Sequence, residues 1–115
     1  SKMYIYKAKV SKVIDGDTID ASIDLGFDVT VQKRIKLAGI NTIQKKSRGL
    51  DAKNALVELL CTLNQNDYFV LDSEKGEKFG RVIGRLHIEM ENKEYCVNQK
   101  LIDDGHAVEY YGGKK

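Results

Sequence analysis

Residues 12–20 read Lys12-Val13-Ile14-Asp15-Gly16-Asp17-Thr18-Ile19-Asp20, an acidic turn between two β-branched runs. Side chains two residues apart on an extended chain leave the same face, so Asp15 and Asp17 can lie close together. Gly16 permits the bend that gathers oxygen atoms around one point, and hard cations such as calcium take oxygen ligands. The stretch predicts strand, turn and strand. A solvated hairpin turn is the simpler explanation of the two aspartates taken alone.

Alternating apolar and polar residues predict strands on both sides of this turn. In the second strand, apolar residues at 19, 21, 23 and 25 alternate with polar ones, and Gly26 ends the run. The same reasoning predicts strands at 3–14, 19–25, 29–40, 67–72 and 81–90, a last extended piece at 106–111, and polar turns at 73–78 and 91–94.

One long helix is predicted from Gly49 to Asn64, because apolar residues there recur at helical spacing. Asp51 near its start suits the helix dipole. Asn98 can cap a second, short helix that Gly105 closes. Short strands, one long helix and the absence of proline predict an α+β fold with a small closed sheet.

Length and charge limit the possible functions. At 115 residues the chain is expected to form one domain, residues 1–115, with a modest core. The net charge of +2 is small, so a nucleic-acid partner would require local clustering of basic residues. No apolar run approaches the roughly 20 residues needed to span a bilayer. We therefore expect no membrane partner, and we expect a monomer.

The two cysteines, Cys61 and Cys96, are distant in sequence and lack partners at metal-binding spacing. Cys61 falls in the helical run and Cys96 in a strand-like run. Both are expected to be buried and reduced, which favours a cytoplasmic setting.

Three further segments extend the pattern of the acidic turn. Residues 33–44 read KRIKLAGINTIQ, residues 77–86 read EKFGRVIGRL, and residues 97–107 read VNQKLIDDGHA. With residues 12–20, these resemble the staphylococcal nuclease (thermonuclease-like) family in order and spacing over nearly the whole chain. Its pattern is an I-D-G-D-T turn, then R-x-x-x-x-D-T-P-E, then Y-G-R leading into a strand. The resemblance implies a mainly β, five-stranded OB-fold-like barrel with attached helices, a scaffold often used for nucleic acids.

The catalytic positions implied by the resemblance are Lys36, Gln44 and Arg81. Lys36 stands where the family has arginine, and Gln44 stands where it has the glutamate usually assigned to activating water. A neutral amide cannot accept a proton, so Gln44 cannot act as a general base. Lysine lacks the rigid fork with which arginine grips two phosphate oxygens, whereas Arg81 retains it. We expect phosphodiester hydrolysis to be weak or absent.

The metal ligands implied by the resemblance are the Asp17 carboxylate, the Asn41 side chain and the Thr42 backbone carbonyl, around a calcium ion. Asn41 replaces the family's aspartate, and Ile43 replaces its proline. Losing a carboxylate lowers the expected affinity for calcium, although amide oxygens do ligate this ion.

Basic and aromatic residues near these motifs are candidates for contact with DNA or RNA. A solvated basic face explains each run separately. The candidate nucleic-acid-binding residues are Lys33, Arg34, Lys45, Lys46, Lys78, Phe79 and Tyr111.

Three functional hypotheses follow. The first is a nucleic-acid-binding domain with a degenerate phosphodiesterase site. The second is an active calcium-dependent endonuclease in which the metal alone activates water. The third is a protein-interaction module on the same barrel, which has the least support in the sequence.

Overall fold

The computed structural model describes residues 4–43, 46–61, 68–78 and 81–110, with backbone only for residues 46–50 and 75–78. The strands are β1 (Tyr4–Asp15), β2 (Thr18–Gly26), β3 (Val29–Leu37), β4 (Ile40–Thr42), β5 (Phe69–Lys78), β6 (Arg81–Met90), β7 (Lys93–Cys96) and β8 (Ala107–Glu109). The helices are α1 (Lys46–Cys61) and α2 (Val97–Asp103).

The main sheet closes into a barrel. Its strand order is β3-β2-β1-β5-β6-β7, and β3 also pairs with β6, so β1, β2, β3, β6 and β5 form a ring. The β3–β6 pairing is parallel, whereas the other pairings in the ring are antiparallel. β4 and β8 form a separate small sheet. The architecture is an OB-fold-like barrel with two helices, which confirms the predicted α+β fold class.

Strand alternation builds the barrel core. Ile19, Ile35, Leu71 and Leu86 point inward from four different strands and are fully buried. Helix α1 adds Leu56, also fully buried, to the same cluster. Burial of such side chains is the main favourable term in folding.

Several predicted boundaries were wrong. Residues 73–78 continue β5, since Ser73 pairs with Gly84, rather than forming a turn. The third strand ends at Leu37, because the chain turns at Gly39, whose φ is 78°, before β4 begins. Helix α1 begins at Lys46, three residues earlier than predicted, so Asp51 lies beyond its first turn. The short strand β7 includes residues that were predicted as a turn.

Asn98 and Cys61 also differ from expectation. The N-cap of α2 is Cys96, with no side-chain capping bond, whereas Asn98 is fully buried inside the fold. Gly105, with φ of 85°, follows the end of α2 as predicted. Cys61 is exposed because it is the last residue of α1 and lies off the apolar stripe, and Cys96 is half-buried.

The hairpin between β2 and β3 carries a strained aromatic residue. Gly26 pairs with Val29, so Phe27 and Asp28 form a two-residue connection, with φ of 56° and 63°. Asparagine and glycine suit such a turn far better than phenylalanine and aspartate. Phe27 is 99% exposed, so its side chain contributes nothing to the core.

Replacing this pair, as Phe27→Asn with Asp28→Gly, is expected to raise the free energy of unfolding by about 1 kcal/mol, because the strain is removed. Urea unfolding measures the change. Phe27→Ala alone keeps a strained residue at the turn and serves as the control. Equal stabilities of the two variants would contradict the assignment of strain.

Candidate functional site

The Asp15-Gly16-Asp17 turn packs tightly against β4 and α1. A Cβ atom built on Gly16 would lie 2.7 Å from Cγ2 of Thr42 and 2.8 Å from Cβ of Ala52. Only glycine allows this approach, so the sequence requirement at position 16 comes from packing as well as from the bend. The turn that carries Asp17 therefore packs against Thr42 through Gly16.

Asp17 is nearly buried and makes several polar contacts. Its Oδ1 accepts a hydrogen bond of 3.0 Å from the Thr18 hydroxyl, and its Oδ2 lies 3.4 Å from Nζ of Lys36. The Asp17 backbone N–H donates to Oδ1 of Asp15 at 3.2 Å. Burial, which disfavours the charged form, raises the pKa of Asp17, and the positive charge of Lys36 opposes this rise. The carboxylate thus depends on Lys36 for neutralisation.

Lys36 places its ammonium group inside the site. Besides its ion pair with Asp17, Nζ donates to the backbone carbonyls of Leu37 at 3.2 Å and Ile40 at 3.1 Å. An ammonium group has three N–H donors, so the two carbonyls use two of them, and the Asp17 carboxylate adds an ion pair. The alternation of β3 puts Lys36 on the outer side of the barrel wall, because its neighbours Ile35 and Leu37 are buried inside.

The two other predicted metal ligands lie on β4. Thr42 is buried, whereas Asn41 is exposed, because successive side chains of a strand leave opposite faces. Asn41 pairs with Val108, which is itself 53% exposed. The Asn41 amide therefore points away from the buried side of this strand.

These residues do not fit a calcium ion in the observed arrangement. Calcium takes about six to eight oxygen ligands. Here the Asp17 oxygen faces an ammonium group, and the Asn41 side chain is directed outward. Within residues 4–43, 46–61, 68–78 and 81–110, no group of three or more His, Cys, Asp or Glu side chains could hold a metal ion. We derive no chemical step through calcium, and its binding stays a prediction.

Basic residues of β3 and β6 share the outer face of the barrel. In the parallel pairing, Arg34 stands opposite Arg81, and Lys36 stands opposite Ile83. Arg34 binds Asp20 on β2 through two hydrogen bonds, of 2.8 and 3.1 Å. The Arg34 guanidinium holds the pKa of the Asp20 carboxyl below its ordinary value. This face thus carries Arg34, Lys36 and Arg81 within a few residues of one another, and Arg85, which is paired with Glu74, lies further along β6.

Arg81 has capacity for a further acceptor. Its Nε atom is buried and has no hydrogen-bond partner in the described part of the chain. A buried donor without a partner costs free energy, so an oxygen acceptor would be favoured there once the Arg81 side chain shifts to expose Nε. Arg81 is the first residue of β6, and in the parallel pairing it stands opposite Arg34 of β3.

The remaining candidate residues are not all on this face. Lys33 pairs with buried Ala21 and lies on the opposite side of β3 from Arg34 and Lys36. Only the backbone of Lys46 and Lys78 is described. Gln44, Lys45, Phe79 and Tyr111 lie outside the described residues.

Sequence reasoning missed Asp20 and Thr18 as members of the site. Their opposite partners on β3 are Arg34 and Lys36, respectively. The complementary charges of Asp20 and Arg34 were visible in the sequence, but the register of β2 against β3 was needed to place them side by side.

No protein-family model matches the chain, and a comparison with curated proteins finds no relative. Among the helices of the described residues, none has the length and apolar character needed to cross a membrane.

Proposed function

We propose that this chain is a nucleic-acid-binding domain that contacts phosphate groups with the outer face of β3 and β6, and that its phosphodiesterase chemistry is weak or absent. The observation that carries the proposal is the parallel β3–β6 pairing, which sets Arg81 beside Arg34, two residues from Lys36. Clustered cations of this kind attract nucleic-acid backbones even when the net charge of the protein is small. A cytoplasmic, monomeric protein of the thermonuclease-like family remains our prediction.

Weak hydrolysis follows from the chemistry of the site residues. Gln44 cannot take a proton, and general-base catalysis contributes roughly 100- to 10,000-fold in rate. Lys36 is occupied by three oxygens, and the carboxylates of Asp17 and Asp20 are bonded to neighbouring side chains. These contacts leave the described site poorly equipped to activate water.

A protein-interaction module is the second candidate. The observation that favours it is Phe27, a fully exposed aromatic side chain held in a strained turn, since strained residues cluster at binding sites. Oligonucleotide binding separates the two candidates: under the nucleic-acid proposal both the parent and Phe27→Ser bind oligonucleotides equally, whereas under the interaction proposal neither binds them.

Arg81→Ala tests the nucleic-acid proposal. Fluorescence anisotropy with labelled single-stranded DNA and RNA at low salt is expected to show a loss of affinity of about fivefold or more, because one phosphate contact is removed. The slope of log affinity against log salt should fall in magnitude by about 0.7.

Lys93→Ala is the matched control, since Lys93 is an exposed basic residue on the distant strand β7. Its affinity should stay near that of the parent. Equal losses in the two variants, or none in Arg81→Ala, would refute the assignment of the β3–β6 face. Efficient calcium-dependent cleavage of the same oligonucleotides, abolished by Arg81→Ala, would instead establish an active endonuclease.

A further inference from the structure

Three oxygen atoms converge on the Lys36 ammonium group. They are Oδ2 of Asp17 at 3.4 Å and the carbonyl oxygens of Leu37 at 3.2 Å and Ile40 at 3.1 Å. The side chain of Lys36 is only 23% exposed and that of Asp17 only 12%. A surface lysine normally keeps its ammonium in water. The three oxygens around Lys36 therefore form a binding site for a positive charge.

The two carbonyls are held in place by the surrounding backbone. The β3–β4 turn is fixed on one side because the Ala38 N–H donates to the Gly84 carbonyl at 2.7 Å. On the other side, the Tyr110 N–H donates to the Gly39 carbonyl at 2.8 Å. Asp17 is anchored by its own carbonyl, which accepts the Leu37 N–H at 2.8 Å. The oxygens around the ammonium are therefore preorganised rather than gathered by a flexible side chain.

We propose that the Lys36 ammonium occupies the cation position of this site, so that phosphate binding on the β3–β6 face requires no divalent metal ion. The assignment of the cation position stands on the geometry around Lys36. Its consequence for phosphate rests on the proposed function.

Charge and distance both exclude a divalent ion from the same oxygens. Calcium binds oxygen at about 2.3–2.6 Å, so an ion bound to Asp17 Oδ2 and to the two carbonyl oxygens together would have to take the position that the ammonium occupies. The two positive charges would repel each other in a partly buried setting where solvent screens poorly. One ammonium already neutralises the Asp17 carboxylate, and because it is covalently attached, it cannot be lost by dilution.

The consequence for ligand binding is that the negative charge of Asp17 is neutralised at the site. An uncompensated Asp17 carboxylate would repel phosphate, whereas the Asp17–Lys36 pair is neutral. Arg81, with its unpartnered Nε, then presents a positive charge without opposition from Asp17. The face can accept a phosphate in the presence of a chelator.

Calorimetric titration with calcium chloride tests the cation position without any nucleic acid. The parent protein is expected to show no saturable binding up to about 10 mM calcium, beyond the range of even weak protein sites. Lys36→Met keeps the apolar stem and removes the charge, and it should show saturable calcium binding with a dissociation constant of about 1 mM or below.

Lys100→Met is the matched control, because Lys100 also pairs with one aspartate, Asp104, at 3.1 Å, but on α2. It should leave calcium binding unchanged. Saturable millimolar binding by the parent protein, or no gain in Lys36→Met, would overturn the proposal.

A measurement on the parent protein keeps the test valid if Lys36→Met does not fold. Nitrogen-15 NMR of lysine ammonium groups should show one protected signal, assigned to Lys36, that persists on adding calcium. Loss of protection at Lys36 on adding calcium would contradict the assignment. Oligonucleotide binding in a chelator is measured separately, so a protein with a protected Lys36 that binds no oligonucleotide would refute the proposed function alone.

Discussion

Replacing Asn98 with alanine is expected to lower the free energy of unfolding by about 3 kcal/mol, because three buried backbone groups each lose a hydrogen bond, although the Gly84 carbonyl keeps the one from the Ala38 N–H. The side chain is fully buried on α2. Its Oδ1 accepts the Leu86 N–H at 3.0 Å, and its Nδ2 donates to the carbonyls of Ala38 at 2.8 Å and Gly84 at 3.2 Å. Leaving one such group unsatisfied costs about 1–3 kcal/mol, and some of this is recovered by relaxation or water entry.

Gln99→Ala, one residue further along α2, is the matched control. Gln99 is exposed, and its side chain bonds only to Asp103 among the described hydrogen bonds, so the expected loss is below about 0.5 kcal/mol. Urea unfolding followed by circular dichroism compares the variants. A loss below about 1 kcal/mol in Asn98→Ala would show that this network is not a principal support of the fold.

The same network supports the candidate site. The Ala38 carbonyl belongs to the β3–β4 turn whose carbonyls receive the Lys36 ammonium. Gly84 lies on β6, opposite Leu37 in the parallel pairing. Asn98 thus connects α2 to β6 and to the turn that follows β3, and its loss should weaken oligonucleotide binding together with stability.

Combining Gln44→Glu with Lys36→Arg is expected to raise the rate of single-stranded DNA cleavage by at least about 100-fold, measured with calcium and again with a chelator, since arginine keeps a positive charge beside Asp17. The glutamate restores a group that can take a proton from water. The arginine restores a planar fork that grips two phosphate oxygens, and it replaces the ammonium beside Asp17. Both substitutions install residues that the thermonuclease-like pattern has at these positions.

A control with the same chemical changes is Gln99→Glu with Lys93→Arg, at exposed positions on α2 and β7. It should cleave no faster than the parent. Equal rates for the parent and the Gln44→Glu, Lys36→Arg variant would contradict the view that these two positions disable the site.

The sequence contained enough information to predict the barrel strands. Strict alternation in residues 19–25 specifies β2, because a one-residue change of register would move Ile19 and Ile23 out of the core. The Asp15–Asp17 turn was equally clear, because Gly16 separates two strand-forming runs. Fold class therefore followed from pattern and the resemblance together.

Other features depend on pairing that no local pattern reveals. The short strand β4 exists because it pairs with β8, more than sixty residues later in the sequence. Lys33 and Arg34 lie on opposite sides of β3, because successive side chains of a strand alternate. The basic run alone suggested that they share one surface. Asn98 looked like a helix cap, but its buried partners on β6 and the β3–β4 turn are defined only by the tertiary fold.

The contact between Lys36 and Asp17 could not be predicted from local pattern either. A lysine at position 36 was interpreted as a weaker arginine, since only its charge was visible in the sequence. Its bonds to Asp17 and to the Ile40 carbonyl depend on the geometry of the turn that follows β3. The local sequence pattern predicted correctly that Lys36 lies on β3. Its contacts with Asp17 and the Ile40 carbonyl, however, are set by tertiary packing.

The salt dependence of single-stranded DNA binding in the presence of a chelator tests this account most directly. We expect measurable binding without divalent ions, with a slope of log affinity against log salt of about −1.5 to −2, as for two or three phosphate contacts. Adding calcium should leave both the affinity and the slope unchanged. Binding that appears only with calcium, or a slope near zero, would contradict a phosphate-binding face that supplies its own cation.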